Sequence, residues 1–550
     1  MNSKLTISIT IAYLFLLGSC VLAQNNPPQV NPLSAIIDFD EGILSINYNL
    51  SDVEQDSMQV TLKISDDNGQ SYNVHVDSVL GDVGYPVLSG TNKQIRWYFD
   101  SDNSGISLDA LDHVKTKIIA DDRYELDIQN IVDQIDTLNL KADMAKIQGI
   151  RHRTAGVAHL ETVKQIIQDR FEQSHLQVRQ QLFEYNDYQA MNIIGRLPGQ
   201  MDEATTYVLD GHFDTISVSP GADDNGSAVV GLLEAVRVLS AYNFTNTIQF
   251  ISFDLEELGS IGSEHYVTEA VQPSEQIEGV FNFEMIGYYS NLPGSQTYPT
   301  GFDFLFPEFY ALVADDEFRG NFITIVGNAS SNKIRSEFEQ CAQNFVPALR
   351  ALSLTVPDNG EMVPDLRRSD HASFWDAGYP ALMLTDGANF RNPHYHQPSD
   401  TMGTLHFEFM CHVVQATVAT IAKMAKPLHC GVGVFEQIEL SQTSIMQSNG
   451  TMPAHFLIEP NYPNPFNPST KLRYEVPNRS KIRMDIYDLT GRYIAQLVNR
   501  IHTAGVHEVE WKGTTDAGVP APSGMYVIHV ELEQNGTHTS NQSIKMMLIK

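Results

Sequence analysis

The period of the apolar positions changes twice along the chain. Between about residues 28 and 122, apolar and polar residues alternate in short runs at 43–48 (ILSINY), 58–64 (MQVTLKI) and 114–119 (VKTKII), with turn clusters at 66–69 (DDNG) and 81–84 (GDVG). Period two puts successive side chains on opposite faces of a strand, and several such strands in succession predict a β-sandwich of the fibronectin type III or immunoglobulin-like kind. A short stretch of helical character, 124–139, follows. From 141 to 425, apolar strands at 206–209, 248–253, 280–283, 322–326 and 381–384 alternate with helical spacing, clearest at 227–239 (SAVVGLLEAVRVL) and 407–424. This predicts an α/β domain with a largely parallel sheet and helices on both faces. Residues 427–453 lose periodicity and read as a linker. Short strands return in 456–550, at 472–476, 482–487, 507–511 and 526–532, and predict a second immunoglobulin-like β-sandwich module.

At 550 residues the chain is too long for one core, in keeping with this division. Its 67 acidic and 35 basic residues give a formal charge of −32. That balance argues against nucleic acid or an anionic membrane surface as partner and suits the solvated surface of an exported protein. The first 23 residues read as a signal peptide: Lys4, an apolar run at 7–17, then Val21-Leu22-Ala23. The run is too short for a transmembrane segment. Leu17-Gly18-Ser19-Cys20 also fits a lipoprotein box, which would place a lipid on Cys20 instead. After cleavage at Ala23 three cysteines remain, Cys341, Cys411 and Cys430, enough for at most one disulfide, whose pairing the spacing does not give.

Candidate chemistry gathers at the carboxyl ends of the predicted strands. His212 follows the strand at 206–209, Glu256 and Glu257 follow 248–253, and Glu284 follows 280–283. Open α/β sheets build their sites there. Asp223 and Asp224 lie in a glycine-flanked turn that opens the helix at Ser227, where a carboxylate also suits the positive helix end, so the two can divide ligation and capping. His396 comes from the loop 392–401 (NPHYHQPSDT). Two histidines and three carboxylates, one of them bridging, would give each of two zinc ions three protein ligands and a shared water. Glu256 and Glu257 leave the backbone in different directions, so one can ligate while the other stays free as a general base.

Taken together, GHFDT, PGADDNGS, DLEELG, NFEMIGY, SDHASFWDAGYPA and HYHQPSDT, in this order, resemble the bacterial leucyl aminopeptidase-like zinc exopeptidases. That group has glutamate carboxypeptidase relatives, and glutaminyl cyclase shares its zinc exopeptidase (phosphorylase/hydrolase-like) fold. The resemblance covers 141–425 and implies peptide substrates and two zinc ions. It implies one ion on His212, Asp224 and Glu284, and the other on Asp224, Glu257 and His396. Asp224 would bridge, with a cis peptide after it. Glu256 would be the general base, and Asp214 would orient His212. Many relatives have Asp at the position of Glu284. Asp370, His371 and Tyr395 are the expected substrate-binding residues, although a Ser-capped helix start at 369 explains the first two nearly as well. Carboxypeptidase or cyclase activity on the same fold stays open. A catalytically dead surface adhesin would be expected to have lost a ligand or the base, and all are present.

The tail carries YPNPFNPST at 462–470, an Asp488-Leu-Thr-Gly491-Arg turn and a basic-apolar end at 545–550. It resembles the C-terminal sorting domain of the type IX secretion pathway. The resemblance implies that outer-membrane secretion machinery is a partner and that the protein reaches the cell surface or the medium.

Overall fold

The computed structural model describes residues 25–39, 41–106, 108–441, 455–477, 480–502, 505–534 and 537–549. The expected signal peptide at 1–23 with Cys20, and linker residues 442–453, lie outside the described residues. Among the described residues no helix is long and apolar enough to cross a membrane.

The central domain is built on an eight-stranded sheet in the order Ala351–Thr355, Ile323–Gly327, Ala381–Thr385, Gln276–Glu284, Asp202–His212, Asn246–Phe253, Tyr188–Leu197 and Gln177–Tyr185. Its four middle strands, from Ala381–Thr385 to Asn246–Phe253, run parallel, and the flanking pairs with Ile323–Gly327 and Tyr188–Leu197 are antiparallel. Both sheet faces bury apolar side chains. One packs on the helices Val157–Gln173, Gly226–Leu239, Asn332–Phe345 and Phe407–Ala425, the other on shorter helices such as Pro307–Ala314 and His371–Asp376. The helix Gly226–Leu239 is almost wholly buried, which its nearly continuous apolar sequence requires. A Cβ at Gly231 would come within 3.0 to 3.2 Å of Val414, Ile286 and Phe283, so glycine lets this helix press against the strand that delivers Glu284.

The N-terminal sandwich pairs a five-stranded with a four-stranded sheet, and it is not made by residues 28–122 alone. After the central domain the chain returns. Cys430–Phe435 pairs antiparallel with Lys115–Asp121, and Glu439–Leu440 pairs in parallel with Gln29–Asp38. Part of the expected linker is therefore strand. Glycine hid the alternation in this run, CGVGVF. A Cβ at Gly431 would fall 1.8 Å from the Pro28 carbonyl oxygen and one at Gly433 2.7 Å from Val30, so the close approach of strand Gln29–Asp38 dictates both residues.

The sandwich grips the start of the strand that ends in His212. Lys63 Nζ donates to the Met201 carbonyl at 2.8 Å, and buried Lys117 lies 3.6 Å from buried Glu203. Where the two domains join, His429 Nδ1 meets Asp122 at 2.7 Å. The tail is a second sandwich, of three- and four-stranded sheets around Leu472, Tyr474, Ile486 and Trp511. Cys341, Cys411 and Cys430 are buried and unbridged.

A chain ending at residue 429 leaves Lys115–Asp121 without its six-residue partner. Its sandwich is expected to unfold at a temperature lower by about 5 °C or more than in a chain ending at 441. Equal transitions in scanning calorimetry would show that the returning strand adds nothing.

Candidate metal centre

Three neighbouring strands end at one place. His212 closes Asp202–His212, Glu284 closes Gln276–Glu284, and Glu256 and Glu257 lie in the short turn of helix after Asn246–Phe253. His212, Asp224 and Glu284 offer one set of ligand atoms within 4.8 Å of one another, and Asp224, Glu257 and His396 offer a second. Asp224 belongs to both. Its Oδ1 lies 3.7 Å from His212 Nε2 and its Oδ2 lies 3.1 Å from His396 Nε2. His212 Nε2 is also 3.5 Å from Glu284, and His396 Nε2 is 3.1 Å from Glu257. Both Nε2 atoms are enclosed without an aligned hydrogen-bond partner. Imidazole lone pairs and carboxylate oxygens converging at these separations, with nothing aligned between them, fit a small divalent cation in each set.

A ring of backbone contacts holds the ligands. The Asp214 carboxylate lies 3.3 Å from His212 Nδ1 and accepts the Glu256 and Glu257 N–H groups at 3.0 and 3.3 Å. The Asp224–Asn225 peptide is cis. The Asn225 side chain donates to the Phe283 carbonyl at 2.9 Å and accepts from Met285 N–H at 3.0 Å, bracketing Glu284. Ser369 Oγ donates to Glu284 at 2.8 Å. The Asp400 carboxylate accepts the N–H groups of Asp223 and Asp224 at 2.9 and 3.2 Å. Asp223 is drawn away from the centre, accepting from Gly287 N–H at 2.9 Å and the Asn392 amide at 2.6 Å. Neither aspartate caps the helix with its side chain.

Arg151, fully buried, binds the two loops together. It donates to the carbonyls of Phe213 at 2.6 Å and Gly221 at 2.8 Å, and also to those of Ile147, Gly149 and Pro220. Sequence reasoning passed over Arg151, Asn225 and Asp400, and offered Ser369 only as a helix cap, whereas its hydroxyl is turned to Glu284. Three of the four lie inside motifs whose other residues drew attention. Arg151 had no local signal, because its partners are backbone carbonyls, and those of Phe213, Pro220 and Gly221 come from a distant segment.

Burial and mutual repulsion shape the titration of this centre. Burial, then the neighbouring carboxylates Glu284, Asp370 and Glu257, push Glu256 well above the usual carboxylate range. Burial and Asp224 raise Glu257 to about 7. Burial would lower His396, yet the facing carboxylates of Asp224 and Glu257 outweigh it and raise the imidazole to about 9.

The residues expected to bind substrate fall in different places. Tyr395 stacks on His396 with ring centres 3.8 Å apart and lines a cavity of about 230 Å³ that opens beside Glu284. Its walls include Phe302, Leu305, Phe309, Val326, Leu354 and Met383. Asp370 is fully buried, and burial raises it to about 7. His371 packs edge-on against Trp375, with Nε2 3.0 Å from the Leu366 carbonyl oxygen. Neither Asp370 nor His371 lines the cavity.

The mixed α/β domain thus carries two groups of potential metal ligands that share Asp224 at its strand ends. Residues 192–421 match the model of peptidase family M28. Residues 468–536 match the FlgD Ig-like domain. The protein YfbL of Escherichia coli is 32% identical over 224 residues, covering 40% of this chain and 64% of YfbL. A probable leucine aminopeptidase of Arthroderma otae is 26% identical over 345 residues, covering 59% of this chain and 82% of that protein. Leucine aminopeptidase 1 of Trichophyton rubrum is 26% identical, and 58% of its length is covered. Among solved structures, Legionella pneumophila LapA aminopeptidase is 20% identical with a TM-score of 0.43, covering 54% of this chain and 74% of LapA. Porphyromonas gingivalis glutaminyl cyclase is 14% identical with a TM-score of 0.39, covering 53% and 98%.

The metal-free fold is expected to weaken as pH rises. His396 holds its proton to about 9 when folded against 6.5 unfolded, so its contribution is complete below 6.5 and lost through 9. Glu257, raised from 4.5 to about 7, acts with the same sign over that interval. Metal ions replace these protons, so stabilisation by added zinc should grow with pH. Thermal unfolding in a chelator between about pH 5 and 9, with and without zinc, checks this. A chelated Tm that rises over that range would contradict it.

Proposed function

We propose that the chain is an exported zinc-dependent aminopeptidase that removes N-terminal residues from peptides. The observation that carries the reading is the Asp224 carboxylate shared between two ligand sets, with the Glu256 carboxyl 3.7 Å from His212 Nε2 and in neither set. His212, Asp224 and Glu284 would hold one zinc ion, and Asp224, Glu257 and His396 the other. When bound, zinc acidifies water and polarises a carbonyl oxygen.

The chain's own groups supply the rest. Glu256, its pKa raised by burial, takes a proton from the attacking water and returns it to the departing amine. Asp214 fixes the orientation of His212 and, through two backbone N–H groups, the turn carrying Glu256 and Glu257. The apolar cavity beside Glu284 receives the side chain of the N-terminal residue. Charge favours the aminopeptidase direction. Three ligating carboxylates leave two divalent ions with one net positive charge, which Glu256 and Asp214 together exceed. Such a centre suits an α-ammonium better than a terminal carboxylate. The names of the leucine aminopeptidases among the similar proteins agree with this direction.

For the tail, the YPNPFNPST opening and the Ig-like match support a role as a secretion address read by outer-membrane machinery. Removing residues 456–550 should retain the enzyme inside the outer membrane, measured by cell fractionation of the native host. Unchanged export would contradict that role.

Replacing Glu256 by Gln should lower kcat/KM about a thousandfold while zinc stays bound. The check is a panel of aminoacyl and N-blocked peptides, with and without a chelator, alongside metal analysis of the variant. Wild-type hydrolysis of N-blocked peptides alone would overturn the aminopeptidase direction, and full activity in the variant would overturn the role of Glu256.

A further inference from the structure

Among the described residues that line the cavity beside Glu284, Arg368 is the only cation. It is tied to three other wall residues. Its Nη2 donates to the Tyr395 hydroxyl at 2.7 Å and its Nη1 to Asn389 Oδ1 at 3.1 Å, while the Asp365 carboxylate lies 3.6 Å from Nη1. Both ends of the first bond are within reach of a ligand in the cavity. Arg368 is 46% exposed, Tyr395 is half-buried, and the bond between them is solvent-exposed. A guanidinium already shared among three partners is poorly placed to pair with a substrate group of its own. Its arrangement is that of a support, and the residue it supports is Tyr395.

The bond between them can run in one direction only. A guanidinium has donors and no acceptor, so the phenol oxygen accepts and its own proton is left over. Among the described residues no other group bonds that hydroxyl. The ring is fixed as well: it stacks on His396 with centres 3.8 Å apart and planes 17° from parallel, and the guanidinium carbon lies 5.7 Å from its centre. Tyr395 therefore reaches from a ligand of the candidate centre to the cavity that would receive the N-terminal side chain. A peptide seated there brings the carbonyl of its first residue to the centre, and that carbonyl oxygen is an acceptor for the spare phenol proton. A cation bonded to the phenol oxygen also strengthens the O–H as a donor.

We propose that Arg368 is a positioning residue: it holds the Tyr395 hydroxyl so that the phenol proton is donated to the carbonyl oxygen of the substrate's first residue, where negative charge develops in the transition state. This rests on the aminopeptidase reading above. The proton is shared in a hydrogen bond and not transferred, so Tyr395 ends each turnover as it began. A donor aimed before the charge appears needs no reorganisation when it does, and Arg368 supplies that aim.

The test is a double-mutant cycle on the zinc-loaded full chain, comparing wild type, Arg368→Ala, Tyr395→Phe and the double variant on whichever aminoacyl p-nitroanilide the wild type cleaves fastest. Tyr395→Phe should lower kcat about a hundredfold and Arg368→Ala about tenfold. Each should leave KM within about twofold, because the bond is made in the transition state. In the Tyr395→Phe chain, Arg368→Ala should change kcat by less than about twofold, since the hydroxyl it acts through is gone. A role in shaping the cavity would instead raise KM and cost the same factor in both backgrounds. Equal factors in both backgrounds, or full kcat in Tyr395→Phe, overturns the inference alone. Cleavage of no anilide by the wild type overturns the aminopeptidase reading and this inference with it.

Discussion

The constraint on which the central domain depends is the concentration of carboxyl groups at the ends of three parallel strands. Asp210, Asp214, Asp224, Glu284 and Asp370 are all less than a tenth exposed, and Glu256 and Glu257 join them in the same region. A buried carboxylate without a counter-charge or hydrogen bonds is strongly disfavoured. The chain meets this in three ways. Backbone N–H groups point at Asp214 and Asp400. The two histidines insert between the remaining oxygens, and several carboxyls rise in pKa until a proton becomes the stabilising partner. Such an array is poised to exchange protons for divalent cations, which is why ligand geometry and titration lead to the same conclusion.

The surrounding architecture resists distortion of this array. Arg151 spends its guanidinium on carbonyl oxygens rather than on a carboxylate, so it clamps the loops bearing Asp214 and Asp224 without neutralising either. Its cation still favours the charged state of Asp400, partly opposing the burial that raises it. At the opposite end of the sheet, Lys63 and Lys117 of the sandwich seize Met201 and Glu203, at the start of the strand that ends in His212. One strand is thus fixed by a second domain at one end and by the ligand cluster at the other.

What could be read from the chain alone follows from which interactions are local. The central strands and the helix Gly226–Leu239 were legible because period and apolar continuity are local properties. The grouping of His212, Asp224, Glu257, Glu284 and His396 was legible because each lies after a strand or in a loop, inside a motif. The returning strand Cys430–Phe435 was not, since its glycines answer to Pro28 and Val30, some four hundred residues earlier. Arg151 was hidden for the same reason. His371 shares a motif with Ser369, yet the helix that begins there turns it towards Trp375 while Ser369 reaches Glu284. Adjacency in sequence says little about which side chain meets the centre.

The returning strand also bears on how the modules are joined to the central domain. A sandwich that was only a spacer would close on itself and leave the central domain through a free linker. Here the chain enters the central domain at Asp122 and comes back beside it at His429, and those two residues bond to each other. The central domain is therefore an insertion between two strands of one sandwich sheet, Lys115–Asp121 and Cys430–Phe435. Loosening either domain strains the ladder that both ends of the insertion share. The tail sandwich holds its own core and its own sheets, so it can differ in fate from the rest of the chain without disturbing the strand that carries His212.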